Sequence, residues 1–120
     1  MTSSQLPRDS ARNLEDSIRA HCALFNACVG TGDWSPFLDT FTEDARMVTA
    51  AAPDRPIVGR ELLARMYAKH PPAETMTMTT IRALDADTAV ARFRWEHGRA
   101  GEMTVRWRDG LVCDVALADA

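Results

Sequence analysis

The amino-acid sequence predicts an α+β domain, with helices first and an antiparallel sheet after them. Three observations carry the expectation. Leu14, Ile18, Cys22, Phe25 and Val29 recur at helical spacing early in the chain, the signature of an amphipathic helix. Beyond His70-Pro71-Pro72 the apolar period changes to two over four consecutive runs, as in half-buried strands. The last two runs are joined by Asp109-Gly110, a strong hairpin signal. Helices followed by a meander, rather than alternating with strands, point to segregated layers.

In chain order, residues 1–8 are expected to form a disordered tail, and 9–120 one domain. Asp9 or Ser10 can cap the first helix, whose outward face carries Arg12, Glu15, Asp16 and Arg19. Gly32 can end it, because glycine enters the left-handed region without steric cost. Asp33 is a suitable N-cap for a second helix over 33–41, with Pro36 in its first turn, where a missing N–H does no harm. Trp34, Phe37, Leu38 and Phe41 share one face of it. Glu43-Asp44 breaks that helix, residues 45–51 make a first strand, and Ile57-Val58 a short second one. A third helix over 60–70 carries Leu62, Leu63, Met66 and Tyr67 as its apolar set, and proline after His70 stops it. The remaining strands are expected over 75–84, 87–97, 101–108 and 111–118.

Composition excludes several classes. The 120 residues fit one domain, and an apolar fraction of 46% can build one core. A net charge of -3 implies no nucleic-acid surface, and no apolar run approaches a membrane span. Residues 1–5 lack the apolar stretch of a signal peptide. The three cysteines include no Cys-x-x-Cys pair, and Cys22 and Cys28 would sit roughly 9 Å apart along a helix, too far to bridge. They read as reduced thiols, and the chain as cytoplasmic.

Strict alternation sorts the strand faces. Phe93, Trp95 and His97 share one face, against Arg92, Arg94 and Glu96. Met103, Val105 and Trp107 oppose Glu102, Thr104, Arg106 and Arg108. On the last strand Cys113, Val115 and Leu117 oppose Val112, Asp114 and Ala116. The apolar faces must meet the helices, since exposing three aromatics would forfeit about 25 cal/mol per Å². Phe25, Trp34, Met47, Met66, Phe93, Trp95, Met103 and Trp107 then crowd one concavity. Polar groups expected inside are His97, His21 and Thr49.

The stretch Gly32-Asp33-Trp34-Ser35-Pro36-Phe37-Leu38-Asp39-Thr40-Phe41-Thr42-Glu43-Asp44-Ala45-Arg46-Met47, followed by Val58-Gly59-Arg60-Glu61-Leu62-Leu63 and four alternating runs, resembles the nuclear transport factor 2-like superfamily. The likeness is to its small SnoaL-like, polyketide-cyclase-like branch, over residues 12 to 118, and rests on the order and spacing of weak motifs. It implies three helices closing a curved, mainly antiparallel sheet into a cone-shaped half-barrel (cystatin-like), with a conical pocket for a hydrophobic ligand. Two states of the cone stay open: filled by its own side chains, or holding a cavity.

The resemblance also locates chemistry. The ketosteroid-isomerase-like tyrosine on helix 1 falls on Phe25, the first-strand aspartate base on Thr49, and the protonated aspartate of the oxyanion site near Met103. None of the three can do that work, so this mechanism is not expected. The last-strand aspartate of SnoaL-like cyclases falls on Leu117. The Arg-x-Asp pair of epoxide-hydrolase-like members is matched only by Arg94-Trp95-Glu96, whose charged residues point outward.

The expected function is therefore binding of a small hydrophobic molecule, lined by His21, Phe25, Trp34, Met47, Thr49, Met66, Phe93, Trp95, Met103, Trp107 and Leu117. Cofactor-independent isomerase, cyclase or dehydratase chemistry would use His97 as base near pH 7. The competing reading is a non-catalytic ligand-binding, dimerisation or accessory module. No HxH or HxxxH spacing argues for a metal, and no phosphate-cradling glycine loop or cofactor motif is present. Arg82, Arg92, Arg94, Arg106 and Arg108, offset by Glu96, Glu102 and Asp114, would stripe the outer sheet face. In the resembled superfamily that face is a common dimer surface, here with Val112 and Ala116 at its apolar centre.

Overall fold

Three helices lie against one face of a six-stranded mixed sheet in a computed structural model that describes residues 8–120, with side chains from residue 13. Helix α1 (Arg8–Thr31) buries Leu14, Ile18, Cys22, Phe25 and Cys28 along one stripe, and an exposed Glu15–Arg19 pair marks the opposite face. The expected tail lies outside the described residues, apart from Arg8, which opens α1. Gly32 ends the helix at φ 78°, its amide donating to the Cys28 carbonyl. The Asp33 carboxylate then accepts the Ser35 amide at 3.0 Å, satisfying a donor that the next helix leaves free.

That next helix is shorter than its apolar spacing suggests. α2 spans only Ser35–Leu38, and the chain is extended from Phe41 onward. The Thr40 hydroxyl and amide both donate to the Phe37 carbonyl, at 2.6 and 3.1 Å. The Thr40 carbonyl in turn accepts the Val112 amide across the sheet at 2.8 Å. Glu43 and Asp44, expected to break a helix, lie inside strand β1 (Phe41–Thr49). β2 (Ala52–Val58) pairs antiparallel with β1, and α3 (Arg60–Lys69) follows Gly59 at φ 100°.

β3 (Met76–Ala83), β4 (Thr88–Trp95), β5 (Ala100–Arg108) and β6 (Leu111–Asp119) form the meander. The sheet order is β2-β1-β6-β5-β4-β3, and β1 runs parallel to β6. Asp109 and Gly110 both take positive φ, 53° and 82°, which gives the tight turn the twist that antiparallel strands need. Cross-strand pairs Phe93–Gly101, Ala91–Met103 and Ala89–Val105 face the helices, while Arg92–Glu102 faces away.

Strict alternation fails on β6. Between Arg106–Asp114 and Trp107–Val112 the register shifts by one residue, the mark of a bulge. Val112 is consequently 1% exposed, in the core, with Val115. Cys113 is half-buried and lines a depression with the charged residues Asp44, Arg46, Arg106 and Arg108. Val112 thus leaves the outer face; Val48, paired in register with Ala116, takes its place there. A second correction concerns His97: β4 ends at Trp95, residues 96–98 turn, and the His97 side chain is 76% exposed instead of facing inward.

Candidate functional site

Aromatic rings from α1, α2, α3 and β4 converge over the inner sheet face. Phe25 projects from α1, with its ring 5.2 Å from Trp34, 5.7 Å from Phe37 and 6.1 Å from Trp95. Trp34, at the mouth of α2, stacks on Tyr67 of α3 at 4.8 Å. Phe93 meets Trp95 edge-on at 5.0 Å. Met47, Phe93 and Met103 are buried from the sheet side; Met66, Trp95, Trp107 and Leu117 are half-buried against the same cluster, and Thr49 is half-buried at the end of β1. Most of the expected lining is thus gathered, and it is packed side chain to side chain.

Two polar groups in this interior lack strong partners. Trp34 is 6% exposed, and its Nε1–H has no hydrogen-bond acceptor among the described residues. Tyr67 is 4% exposed, and among the described residues its hydroxyl reaches only the Met47 sulfur, at 3.8 Å, a weak acceptor. Burial pushes the Tyr67 phenol up, so it stays protonated. Tyr67 belongs to the apolar set expected of α3 but not to the candidate site. Its spacing reads as core, and only the neighbouring orphaned indole gives it chemical meaning.

His21 sits where the cluster meets an open groove. Its ring is 4.9 Å from Phe37 and 5.9 Å from Phe41. Desolvation lowers its pKa to about 4, so at neutral pH it is an uncharged imidazole. Its other side lines a groove of about 200 Å³ between α1 and the β5–β6 turn, with Ser17, Leu24, Thr40, Trp107 and Val112. A second hollow of about 200 Å³ continues along α1 past Asn13 and Asp87, sharing Ser17, Trp107 and Gly110. A larger cleft of about 500 Å³ between α2 and α3 is lined by Ser35, Asp39, Glu43, Arg60 and Glu61. Its walls are charged, and none of the ring cluster reaches it.

His97 is elsewhere. Its Nδ1 lies 2.7 Å from Glu74 Oε1, and its backbone amide donates to the same oxygen at 3.0 Å. These contacts, with Arg99 behind them, hold the Glu74 carboxyl below the usual carboxylate range. The unit faces solvent and lines none of the three cavities above. Among the described residues, no group of three or more His, Cys, Asp or Glu side chains could hold a metal. Another residue outside the expected set, Asn26, bonds the Met76 backbone in both directions, donating at 2.8 Å and accepting at 2.9 Å.

No curated protein matches this chain in sequence. Solved structures resemble it throughout. A SnoaL-like protein from Jannaschia sp. CCS1 is 12% identical with a TM-score of 0.72, over 95% of this chain and 90% of that one. An NTF-2 like protein of unknown function from Burkholderia xenovorans is 19% identical with a TM-score of 0.66, over 88% and 86%. A Mycobacterium tuberculosis protein solved in complex with estradiol-17beta-hemisuccinate is 17% identical with a TM-score of 0.62, over 84% and 92%. At these identities the likeness speaks for the fold. The sequence profile of the SnoaL-like domain matches residues 18–116; with that match and this element order, the chain belongs to the SnoaL-like family of the nuclear transport factor 2-like superfamily.

Proposed function

We propose that this protein binds a small, largely apolar molecule inside a cone formed by the helices and the inner sheet face, admitted beside His21 and Trp107. One observation carries the reading: a groove walled by Leu24, Trp107 and Val112 is backed by His21, whose ring abuts the buried aromatic cluster. Such a groove sets solvent one side chain away from an apolar interior with few polar groups, the usual make-up of a ligand site. The Mycobacterium neighbour, solved with a steroid ester, supports the same class of occupant.

The geometry favours binding over turnover. His97, the base expected from sequence, is engaged by Glu74 on a solvent-facing turn, and His21, near 4, is a weak base. The three free cysteines suit a reducing compartment such as the cytoplasm. The outer sheet face, with Val48 and Ala116 at its centre, is the proposed contact in a homodimer.

The test is saturable quenching of tryptophan fluorescence by a panel of compounds from aryl ketones to steroids. Trp107→Leu should weaken binding about tenfold, with melting followed by circular dichroism to separate folding from affinity. His97→Ala should leave binding unchanged. Failure of every compound, or full affinity in Trp107→Leu, would overturn the reading.

A further inference from the structure

We propose that the interior site selects ligands bearing a carbonyl or similar oxygen acceptor, held between the Trp34 indole N–H and the Tyr67 hydroxyl; this rests on the ligand-binding reading above. Trp34 Nε1 is buried with no partner among the described residues, although an indole N–H in a protein interior ordinarily finds an acceptor. Its ring is stacked on that of Tyr67, whose hydroxyl donates, among the described residues, to a thioether alone. Two neighbouring donors thus stand with little to donate to. A buried donor without a partner is costly, and the cost is recovered when an acceptor arrives. A ligand lacking an oxygen acceptor recovers none of it.

The group now beside Tyr67 is a flexible one. Met47 is unbranched at Cβ and has three rotatable side-chain bonds, so of the side chains in this cluster it is the one best suited to repack around a guest. A carbonyl oxygen arriving in its place accepts from Tyr67 far more strongly than sulfur does, and offers a second lone pair to the indole. Because burial keeps the phenol protonated, Tyr67 donates across the physiological range. Desolvated donors of this kind discriminate against an isostere without the acceptor much more sharply than an apolar wall can.

The probes are 1-indanone and 1-methyleneindane, matched in shape, with C=CH2 replacing C=O. On ¹⁵N-labelled protein the ketone should bind about tenfold tighter and move one indole N–H resonance downfield, the one that Trp34→Phe removes. Trp34→Phe should abolish the preference, and Tyr67→Phe, which deletes only a hydroxyl, should reduce it while both compounds still bind. Equal affinity for the pair, with the Trp34 resonance unmoved, would overturn this inference and leave the ligand-binding reading intact. No binding of either compound at its solubility limit would overturn both.

Discussion

Asn26 uses both halves of its amide on one backbone position of β3, an edge strand with a row of otherwise unpaired groups. Replacing it with alanine removes two hydrogen bonds from half-buried groups, which should cost about 2 kcal/mol in a urea unfolding midpoint. Nothing in the sequence pattern marks Asn26, because a lone polar residue beside an apolar stripe reads as boundary. His21 behaves differently. Its folded pKa, about 4, lies below the usual 6.5, so the unfolded chain binds the proton more readily. The stability it contributes is therefore complete above about pH 6.5 and is lost as pH falls toward 4, by at most about 3 kcal/mol. His21→Phe should flatten that part of the stability profile relative to the parent protein. Spacing alone placed His21 one position from the stripe; its ring contacts with Phe37 and Phe41 required the fold.

At the scale of elements, Gly101 fixes how β4 and β5 meet. A Cβ built there would lie 2.5 Å from the Phe93 ring, so the ring occupies the space directly over the glycine. Gly101→Ala should destabilise the protein by about 1–3 kcal/mol, and in a Phe93→Leu background the same change should cost measurably less by thermal melting. The element order and most strand ends were legible, because long apolar periodicities and Asp109-Gly110 are local signals. The extent of α2 was not. Trp34, Phe37, Leu38 and Phe41 satisfy a helical period, yet Phe41 is claimed by pairing with Val112, a partner 71 positions away in sequence number. The β6 bulge was hidden for the same reason: one extra residue changes every face assignment before it, and only the register with β5 reveals it. Val112 and Cys113 exchanged sides on that account.

Across the whole molecule, the outer sheet face carries ion pairs on its central strands, with the Val48–Ala116 pair next along β1 and β6. Arg46–Asp114 and Arg92–Glu102 lie at 3.9 and 3.6 Å and are solvent-exposed, and Arg108 pairs with Asp44, lowering that carboxyl. Exposed pairs such as these stabilise a monomer little, but they can set orientation between two copies. Sedimentation equilibrium should give twice 13.3 kDa, and Ala116→Arg should return the protein to that monomer mass; a monomeric parent would remove the dimer from the reading. Outside β6, the sorting of apolar from charged faces was readable from alternation, and so was the burial of most residues in the aromatic cluster. Whether those residues leave room for a guest depends on packing to within a methyl group, which no periodicity encodes.

The position of β6 between β1 and β5 has a bearing on how the molecule is made. Hairpins between chain neighbours knit the β3–β4–β5 ribbon, whereas the β1–β2 hairpin joins it only through Leu111–Asp119. β6 is thus the keystone of the sheet, paired parallel with β1 on one side and antiparallel with β5 on the other. Loss of pairing at that one strand would part the sheet into two ribbons, each with a row of unpaired backbone groups open to a neighbouring copy.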